Sequence, residues 1–593
     1  MERKWIFPAP DLALVRQLQD RLRVSPVTAR LLVNRGLTEF SDARAFLEPS
    51  LHNLRDPRDH EALKEAADFL FSAAKEGKQV TVYGDYDADG ICATAILVRS
   101  LKILGAEVDY YIPRRLEEGY GLNCDALSEI KSSGTDVVVT VDCGISARKE
   151  AKKASEFGLD LIITDHHELK GELPNARAIL NPHLGQCEFG YEGLAGVGVA
   201  YKLIWALGQR LAGGGTMPED YREHLMEMLP LVAIGTVADI VPLVDENRIL
   251  TRFGLRILPQ SRIPGLQALM EVARIAGKSN LTTYHIGFQL APRLNAAGRV
   301  ADARAAVDMF VTDNPREASE TAEHLQKQNR KRQSIQRLAT EQAQELVEAQ
   351  YDPEQIGCLM LSSEEWHPGV VGLVASRLAE RFWRPTFVFH EEEDLARGSA
   401  RSIPGFHLFN AIADCEELLV RFGGHEGAAG LTLPLEKLDT FREKMNALAR
   451  KKLGDEPPIP QLELEGEIGL QQLTRPAVEE FKVLSPFGEG NPDPLFAATD
   501  LKVVGNPKLV GSHRNHLSFK VRQNDATLKV IAFRKADWLK PLQERSDEPF
   551  CLAFEPIINS FNGHVNVELR AEDIQWADQE LVEVRGGKTD TTA

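Results

Sequence analysis

The chain has 593 residues, 43% of them hydrophobic and 26% charged, which is the mix of an ordinary globular protein and too much chain for one core, so three or four domains are expected. A formal net charge of −18 and a pI of about 5.4 exclude a protein that coats duplex DNA by bulk charge, yet leave room for a local basic groove and for carboxylates that gather cations. The seven cysteines (Cys92, Cys124, Cys143, Cys187, Cys358, Cys415 and Cys551) form no CxxC pair, which excludes a disulfide framework and a structural zinc site and makes a reducing cytoplasm the simplest setting. The opening MERKWIFPAPDLALV lacks the apolar core of a signal peptide, and no stretch reads as a membrane span, so no membrane association is expected.

Residues 1–50 read as a helical N-terminal extension, with apolar residues at helical spacing in VTARLLVNRGL. From Lys78 to about Ile249 short apolar runs alternate with amphipathic helical segments. The runs are QVTVYG (79–84), AEVDYYI (106–112), DVVVTVD (136–142), LDLIITD (159–165) and ARAILNP (176–182). Strands of near-continuous apolar character joined by helices predict a parallel, doubly wound α/β sheet. Helix-rich sequence completes this domain, 51–312. Residues 313–351 form a bridging helix: 315–350 hold no Gly and no internal Pro, and KQNRKRQSIQR (327–337) makes part of it basic. Such a run is ordinarily a solvated face; here it also suits the wall of a nucleic-acid channel. Residues 352–453 read as a second α/β unit, with strands IGCLML and RPTFVF, helix VVGLVASRLAERF, and the segments RGSARS and FGGHEGAAGLTLP. DEPPIPQ (455–461) is a Pro-rich linker. Residues 461–578 are β-rich (LELEGEI, LKVVGN, HLSFKV, LKVIAF, FCLAFEP, VNVELR) and suit a small barrel such as an OB-fold. The tail, 579–593, is expected to be disordered.

Acidic and imidazole groups fall where these strands end. QVTVYG runs into Asp85, Asp87 and Asp89; DVVVTV runs into Asp142; DLIIT runs into Asp165, His166 and His167. In a parallel sheet the carboxyl ends share one edge, where open α/β sheets bind ligands. Asp239, in AIGTVADIVPL, follows an apolar helical run as a further acidic group. Taken singly, each Asp is more simply a helix N-cap and each His a surface or core residue. Converging from four segments, they repel one another unless cations neutralise them. Hard oxygen donors with one or two imidazoles suit two manganese or magnesium ions, and such a pair activates water against a phosphodiester.

YGDYDADG, VTVDCG, TDHHEL and GTVADIVPL resemble, in order and spacing, the successive motifs of the DHH phosphoesterases. The similarity continues through GYGLN, APRLNAAGR, the bridging helix, RGSARS, FGGHEGAAG and the barrel, in the order of the RecJ exonucleases within that superfamily. The resemblance implies a parallel doubly wound DHH domain, a DHH-associated substrate-binding domain joined to it by the long helix, and a C-terminal OB-fold. It implies a single-strand-specific 5′→3′ DNA exonuclease of repair and recombination, using two Mn2+ or Mg2+ ions. Metal ligation is implied for Asp87, Asp89, Asp142, His166 and Asp239, with His167 orienting a ligand or the scissile phosphate; Asp85 is left open. A 5′-terminal phosphate would lie against Arg115 and Arg299, with Arg293 the alternative to Arg299; Ser399, Arg401, Gly423, Gly424 and His425 would face the metal site across a cleft as substrate-binding residues, where an arginine fork and close backbone suit phosphate oxygens, although the glycines alone read as a plain tight turn. The implied partners are single-stranded DNA, a single-strand-binding protein and a helicase, with the protein itself a monomer.

GLAGVGVAYKL (193–203) has a GxG look but no dinucleotide-site context, so it is read as helix–sheet packing. In the barrel Lys502, Lys508, His513, Arg514, His516, Lys520, Arg522, Lys529 and Arg534 surround Phe519 and Phe533, which suits a single strand, although either phenylalanine alone is as readily core. Two other functions compete. A phosphodiesterase for very short or cyclic nucleotides fits the motifs but not the long helix and barrel, and a non-catalytic scaffold fits the fold but not the intact motifs.

Overall fold

The computed structural model describes residues 3–115, 117–185, 189–351, 356–454, 458–561, 564–576 and 582–586. The chain forms two compact units, one of residues 51–458 and one combining residues 1–50 with 459–593.

The larger unit opens on a five-stranded, wholly parallel sheet in the order Glu107–Tyr111, Gln79–Tyr83, Val137–Val141, Asp160–Thr164, Ala178–Leu180. Val137–Val141 is buried along its whole length because helices cover both faces. Val137, Val139 and Val141 enter a core built with the helices Glu61–Lys75, Ala88–Ile103, Gly196–Leu211 and Glu219–Ala238, whereas Val138 enters a smaller core with the helices Cys124–Ser132 and Arg148–Glu156. Gln79–Tyr83, the first strand of this sheet in chain order, lies second in it. The crossover after it runs to one side, to Glu107–Tyr111, and the next returns past it to Val137–Val141, so the order reverses and a crevice opens between the ends of Gln79–Tyr83 and Val137–Val141.

A buried ion pair pins this lobe. Lys202 Nζ lies 2.6 Å from Glu246 Oε1, with both side chains fully buried, and also donates to the Arg55 carbonyl at 2.6 Å. Removing one partner strands a buried charge, so Lys202→Met is expected to lower unfolding free energy by about 3–5 kcal/mol. Urea denaturation checks this; a loss under about 1 kcal/mol would mean that the Arg55 N–H, which donates to Glu246 Oε1 at 2.6 Å, satisfies the carboxylate without Lys202.

Helix Pro315–Gln350 is capped by Asn314, whose side chain accepts from Arg316 N, with Pro315 at the first position. Its buried stripe joins the first core through Ala318, Ala322 and Leu325, and another core through Ala339, Ala343 and Val347. That second core belongs to a mixed sheet in the order Arg421–Gly424, Ala428–Pro434, Leu395–Arg401, Thr386–Glu392, Leu359–Ser363, parallel only between the last two. Most of RGSARS lies inside the strand Leu395–Arg401.

In the smaller unit Phe496–Val510, His516–Gln523, Ala526–Ala532, His564–Trp576 and Phe550–Phe561 close into a five-stranded barrel. Phe519 is core, and Phe533 is 51% exposed with its ring edge-on to His516. Three expectations are corrected here. Residues 1–50 are not purely helical: Lys4–Ala9 is a strand, with Trp5 and Ile6 buried. Its parallel neighbours are Gln461–Glu463 and Val582–Gly586. LELEGEI therefore contributes only Leu462 and Glu463 to a strand, and outside the barrel. The tail expected to be disordered carries the strand Val582–Gly586; its other residues lie outside the described ones. Pairing across more than 450 residues leaves no local periodicity to read. Cys92, Cys124, Cys143, Cys358, Cys415 and Cys551 are free, and Cys187 lies outside the described residues. Among the described residues no helix is long and apolar enough to cross a membrane.

Candidate metal centre and phosphate cleft

Asp85, Asp87 and Asp89 follow the strand Gln79–Tyr83 at the crevice. Asp87 caps helix Ala88–Ile103, its Oδ1 accepting from Asp89 N at 2.9 Å and Gly90 N at 3.1 Å. Asn295, from APRLNAAGR, holds Ala88 N at 2.7 Å and so fixes the same turn. Asp89 is fully buried, and its two oxygens accept from Gly196 N at 2.7 Å and Val197 N at 3.0 Å. These are open amides at the start of helix Gly196–Leu211, a positive dipole end. GLAGVG is thus part of the site rather than packing alone, a correction whose local signal was a run of small residues before a helix.

Asp142 follows the strand Val137–Val141 with φ of 61°, a left-handed conformation that non-glycine residues adopt only under constraint. Ile240, just past Asp239 at the end of helix Glu219–Ala238, has φ of 63°, a strained state for a β-branched residue. Asp165 is saturated: Ile145 N reaches Oδ2 at 2.9 Å, while His166 N at 2.7 Å, His167 N at 3.1 Å and His167 Nδ1 at 2.7 Å share Oδ1. It holds the two histidines in place. Tyr120, from GYGLN, donates to the Asp142 carbonyl at 3.1 Å and lies 3.0 Å from His167 Nδ1.

The remaining groups form three overlapping clusters, Asp142–His166–His167, Asp89–His166–Asp239 and Asp85–Asp87–Asp142, each with ligand atoms within 4.8 Å of one another. Asp85, left open on sequence, joins the third. Burial, then the charge of Asp87, raises the Asp89 carboxyl to about 7; burial, then Asp89, raises Asp239 to about 9. Asp85 and Asp142 are pushed well up by burial and by neighbouring carboxylates. Burial, then His167, lowers His166 to about 3, so its ring is a neutral donor. His167 goes the other way: burial opposes its charge, but the bond to Asp165 outweighs it. Asp85 Oδ1, Asp142 Oδ1 and His166 Nε2 are buried with no hydrogen-bond partner. Crowded carboxylates, a neutral imidazole and orphaned buried acceptors are the arrangement that a hard divalent cation completes.

Cations gather beside this centre. Arg115 lies over the Tyr86 ring, 4.8 Å from its centroid. Arg299 donates to the Gly369 carbonyl at 3.3 Å; burial, then Arg115, Arg332 and Arg401, lower it to about 9. Ser399 and Arg401 face the start of helix Val371–Phe382, where a methyl group on Gly372 would come within 3.3 Å of both side chains. The Gly424 carbonyl accepts from Lys170 Nζ at 3.0 Å, and His425 Nδ1 accepts from Gly427 N at 3.2 Å. Gly423 lies on the same strand with open space around its Cα. Arg115, Arg299 and Arg401 therefore share one locality with no carboxylate in salt-bridge contact among the described residues. Arg293 is spent elsewhere, on the carbonyls of Gln289 and Val272.

A parallel sheet that collects carboxylates and imidazoles at its switch point, beside an arginine-lined cleft, defines a DHH-type phosphoesterase. Residues 79–236 match the DHH family N-terminal domain, 355–451 the DHHA1 domain and 464–573 the RecJ OB domain. The chain is 38% identical to the single-stranded-DNA-specific exonuclease RecJ of Bacillus subtilis over 99% of its length and 72% of that protein, and 35% identical to the Escherichia coli protein of the same name over 93% and 96%. It superposes on the crystal structure of RecJ in complex with Mn2+ from Thermus thermophilus with a TM-score of 0.80 and 32% identity, covering 96% of this chain and 79% of that one. The chain belongs to the RecJ family of single-stranded-DNA-specific exonucleases.

Proposed function

We propose that this protein removes nucleotides from the 5′ end of single-stranded DNA by metal-assisted hydrolysis, in DNA repair and recombination. The carrying observation is the set of three overlapping ligand clusters at the sheet's switch point, beside arginines that form no salt bridge among the described residues. Asp87, Asp89, Asp142, His166 and Asp239 hold two divalent ions of the manganese or magnesium kind, with Asp85 completing the cluster it shares with Asp87 and Asp142. When bound, these ions supply an activated water and Lewis-acid stabilisation of the departing oxygen. His167 is anchored through Nδ1 to Asp165, which leaves Nε2 for a phosphate oxygen. Arg115, Arg299, Ser399 and Arg401 grip the 5′-terminal phosphate, with backbone at Gly424 and the ring of His425 closing the pocket, and so set polarity. Arg299 takes this role rather than Arg293, since it is Arg299 that lies among Arg115, Arg332 and Arg401.

The barrel supports the single-strand reading. Lys502, Lys520 and Arg522 are exposed on two neighbouring strands, with Lys502 opposite Arg522, whereas Lys529, opposite Lys520, is paired with Glu568 at 3.0 Å. Like charges set side by side favour an anionic backbone between them. A monomer in a reducing cytoplasm, supplied with strand by a helicase and a single-strand-binding protein, completes the reading.

Digestion of 5′-labelled and 3′-labelled single strands tests it. With manganese, the 5′ label is expected in mononucleotide from the earliest times while the 3′-labelled strand shortens stepwise, and chelator stops both. Early release of the 3′ label, or cleavage confined to dinucleotides, would sink it.

A further inference from the structure

The bridging helix buries a stripe at spacings of three and four: Ala318, Ala322, Leu325, Asn329, Arg332, Gln336, Ala339, Ala343, Val347. Its first members belong to the core of the DHH lobe and its last to that of the second lobe. At the changeover it turns polar. Asn329 is 2% exposed and Gln336 7%, and Arg332 lies half-buried between them. The amide oxygens of both converge on this one guanidinium, Asn329 Oδ1 accepting from Nη2 at 2.6 Å and Gln336 Oε1 from Nη1 at 2.7 Å.

Neutral amides orient a cation without cancelling its charge. Among the described residues no carboxylate forms a salt bridge with Arg332. Its charged surroundings are of its own sign, with Arg299 on helix Ala291–Val300 and Arg377 on helix Val371–Phe382. The other cations of the basic stretch, Lys327, Arg330, Lys331 and Arg337, point to solvent. A half-buried arginine fixed by two buried amides is costly unless an anion joins it.

We propose that Arg332 is a preorganised contact for a phosphate oxyanion of the bound strand, held jointly with Arg299 in the cleft between the two lobes, and that Asn329 and Gln336 are its positioning residues. This rests on the reading of that cleft as the path of the DNA. The guanidinium fork is the chemistry that matches two phosphate oxygens. Burial, then Arg377, already lowers the Arg332 pKa, as expected of a cation awaiting a counter-charge.

The test is fluorescence anisotropy of a 3′-labelled single strand bearing a 5′ phosphate, in chelator, across a salt series. Arg332→Gln is expected to weaken binding about tenfold and to flatten the salt dependence by about 0.7 in log–log slope, one phosphate contact. Arg332→Lys is expected to keep the slope and recover only part of the affinity. Repeating the comparison with a 5′-hydroxyl strand, and with single methylphosphonate linkages, locates the phosphate: the change that abolishes the difference between wild type and Arg332→Gln marks it as terminal or internal. A lower melting temperature with unchanged affinity and slope would assign Arg332 to packing and overturn the proposal. Arg401→Gln is the control. If it too leaves affinity and slope unchanged, the cleft does not carry the strand and the proposed function fails; if only Arg332→Gln is silent, this inference alone fails.

Discussion

Asp142→Ala is expected to abolish turnover, a loss of at least about a thousandfold, while the metal-free fold survives. Asp142 belongs to two of the three ligand clusters and links them. Its Oδ1 is buried, unbonded within the protein, and 3.1 Å from His166 Nε2. Without a cation this carboxylate is a liability, since burial and the charges of Asp89, Asp87, Asp239 and Asp85 all oppose its ionisation. Truncating it relieves that repulsion, so calorimetry without metal should show equal or higher stability than wild type. Manganese at a hundred times its dissociation constant should stabilise wild type by about 2.7 kcal/mol, and the variant should lose most of this gain. Single-strand binding, proposed to use the arginines and the barrel, should persist. Retained turnover would remove Asp142 from the reaction.

Gly196→Ala should be nearly as damaging, against the trend of helix propensity. Inside a helix, alanine in place of glycine ordinarily stabilises by about 0.5–1 kcal/mol. Here the added methyl would lie 2.7 Å from Asp142 Cβ and 2.8 Å from its Oδ1, closer than non-bonded atoms approach. Gly196 N also donates to Asp89, so the helix cannot retreat without moving a second carboxylate. Overpacking at about 1–3 kcal/mol outweighs the propensity gain. The expected result is a loss of that size in urea denaturation, with kcat down about a hundredfold or more and the manganese-dependent rise in melting temperature reduced. Wild-type kcat in Gly196→Ala would show that the helix start and Asp142 are not held as close as described. Gly235, where a methyl would meet Asp89 Oδ1 at 2.5 Å, forms another wall of the same cradle.

Much of the centre was legible because its signals are local. An apolar run of five that ends in an acid reads as a strand delivering a ligand, and Val137–Val141 into Asp142 is the clearest case. The long helix was legible because nothing in 315–350 interrupts it. What stayed hidden involved partners distant in sequence. The amides of Gly196 and Val197 that hold Asp89 lie more than 100 residues away from it. Asp165 and Asp142 occupy equivalent places after neighbouring strands. Only the hydrogen bonds reveal that Asp165 is filled by amides and a histidine while Asp142 keeps an open oxygen. Arg293 and Arg299, six residues apart, look interchangeable until Arg299 is seen beside Arg115, Arg332 and Arg401 while Arg293 has Arg330 near it.

By itself the sequence determined the parallel sheet, the edge at which its acids collect, the bridging helix and the presence of a β-rich module. Each of these follows from side-chain periodicity over ten to forty neighbouring residues, and periodicity is a property of the chain alone. Tertiary structure decided the rest: that Lys4–Ala9 pairs with segments near the other end of the chain, that Asp85 joins the cluster, that glycines at 196 and 235 leave room for the carboxylates, and that one arginine of a basic run turns inward. Those outcomes depend on which groups meet across the fold, and on whether a buried polar atom finds a partner there or is left for a ligand.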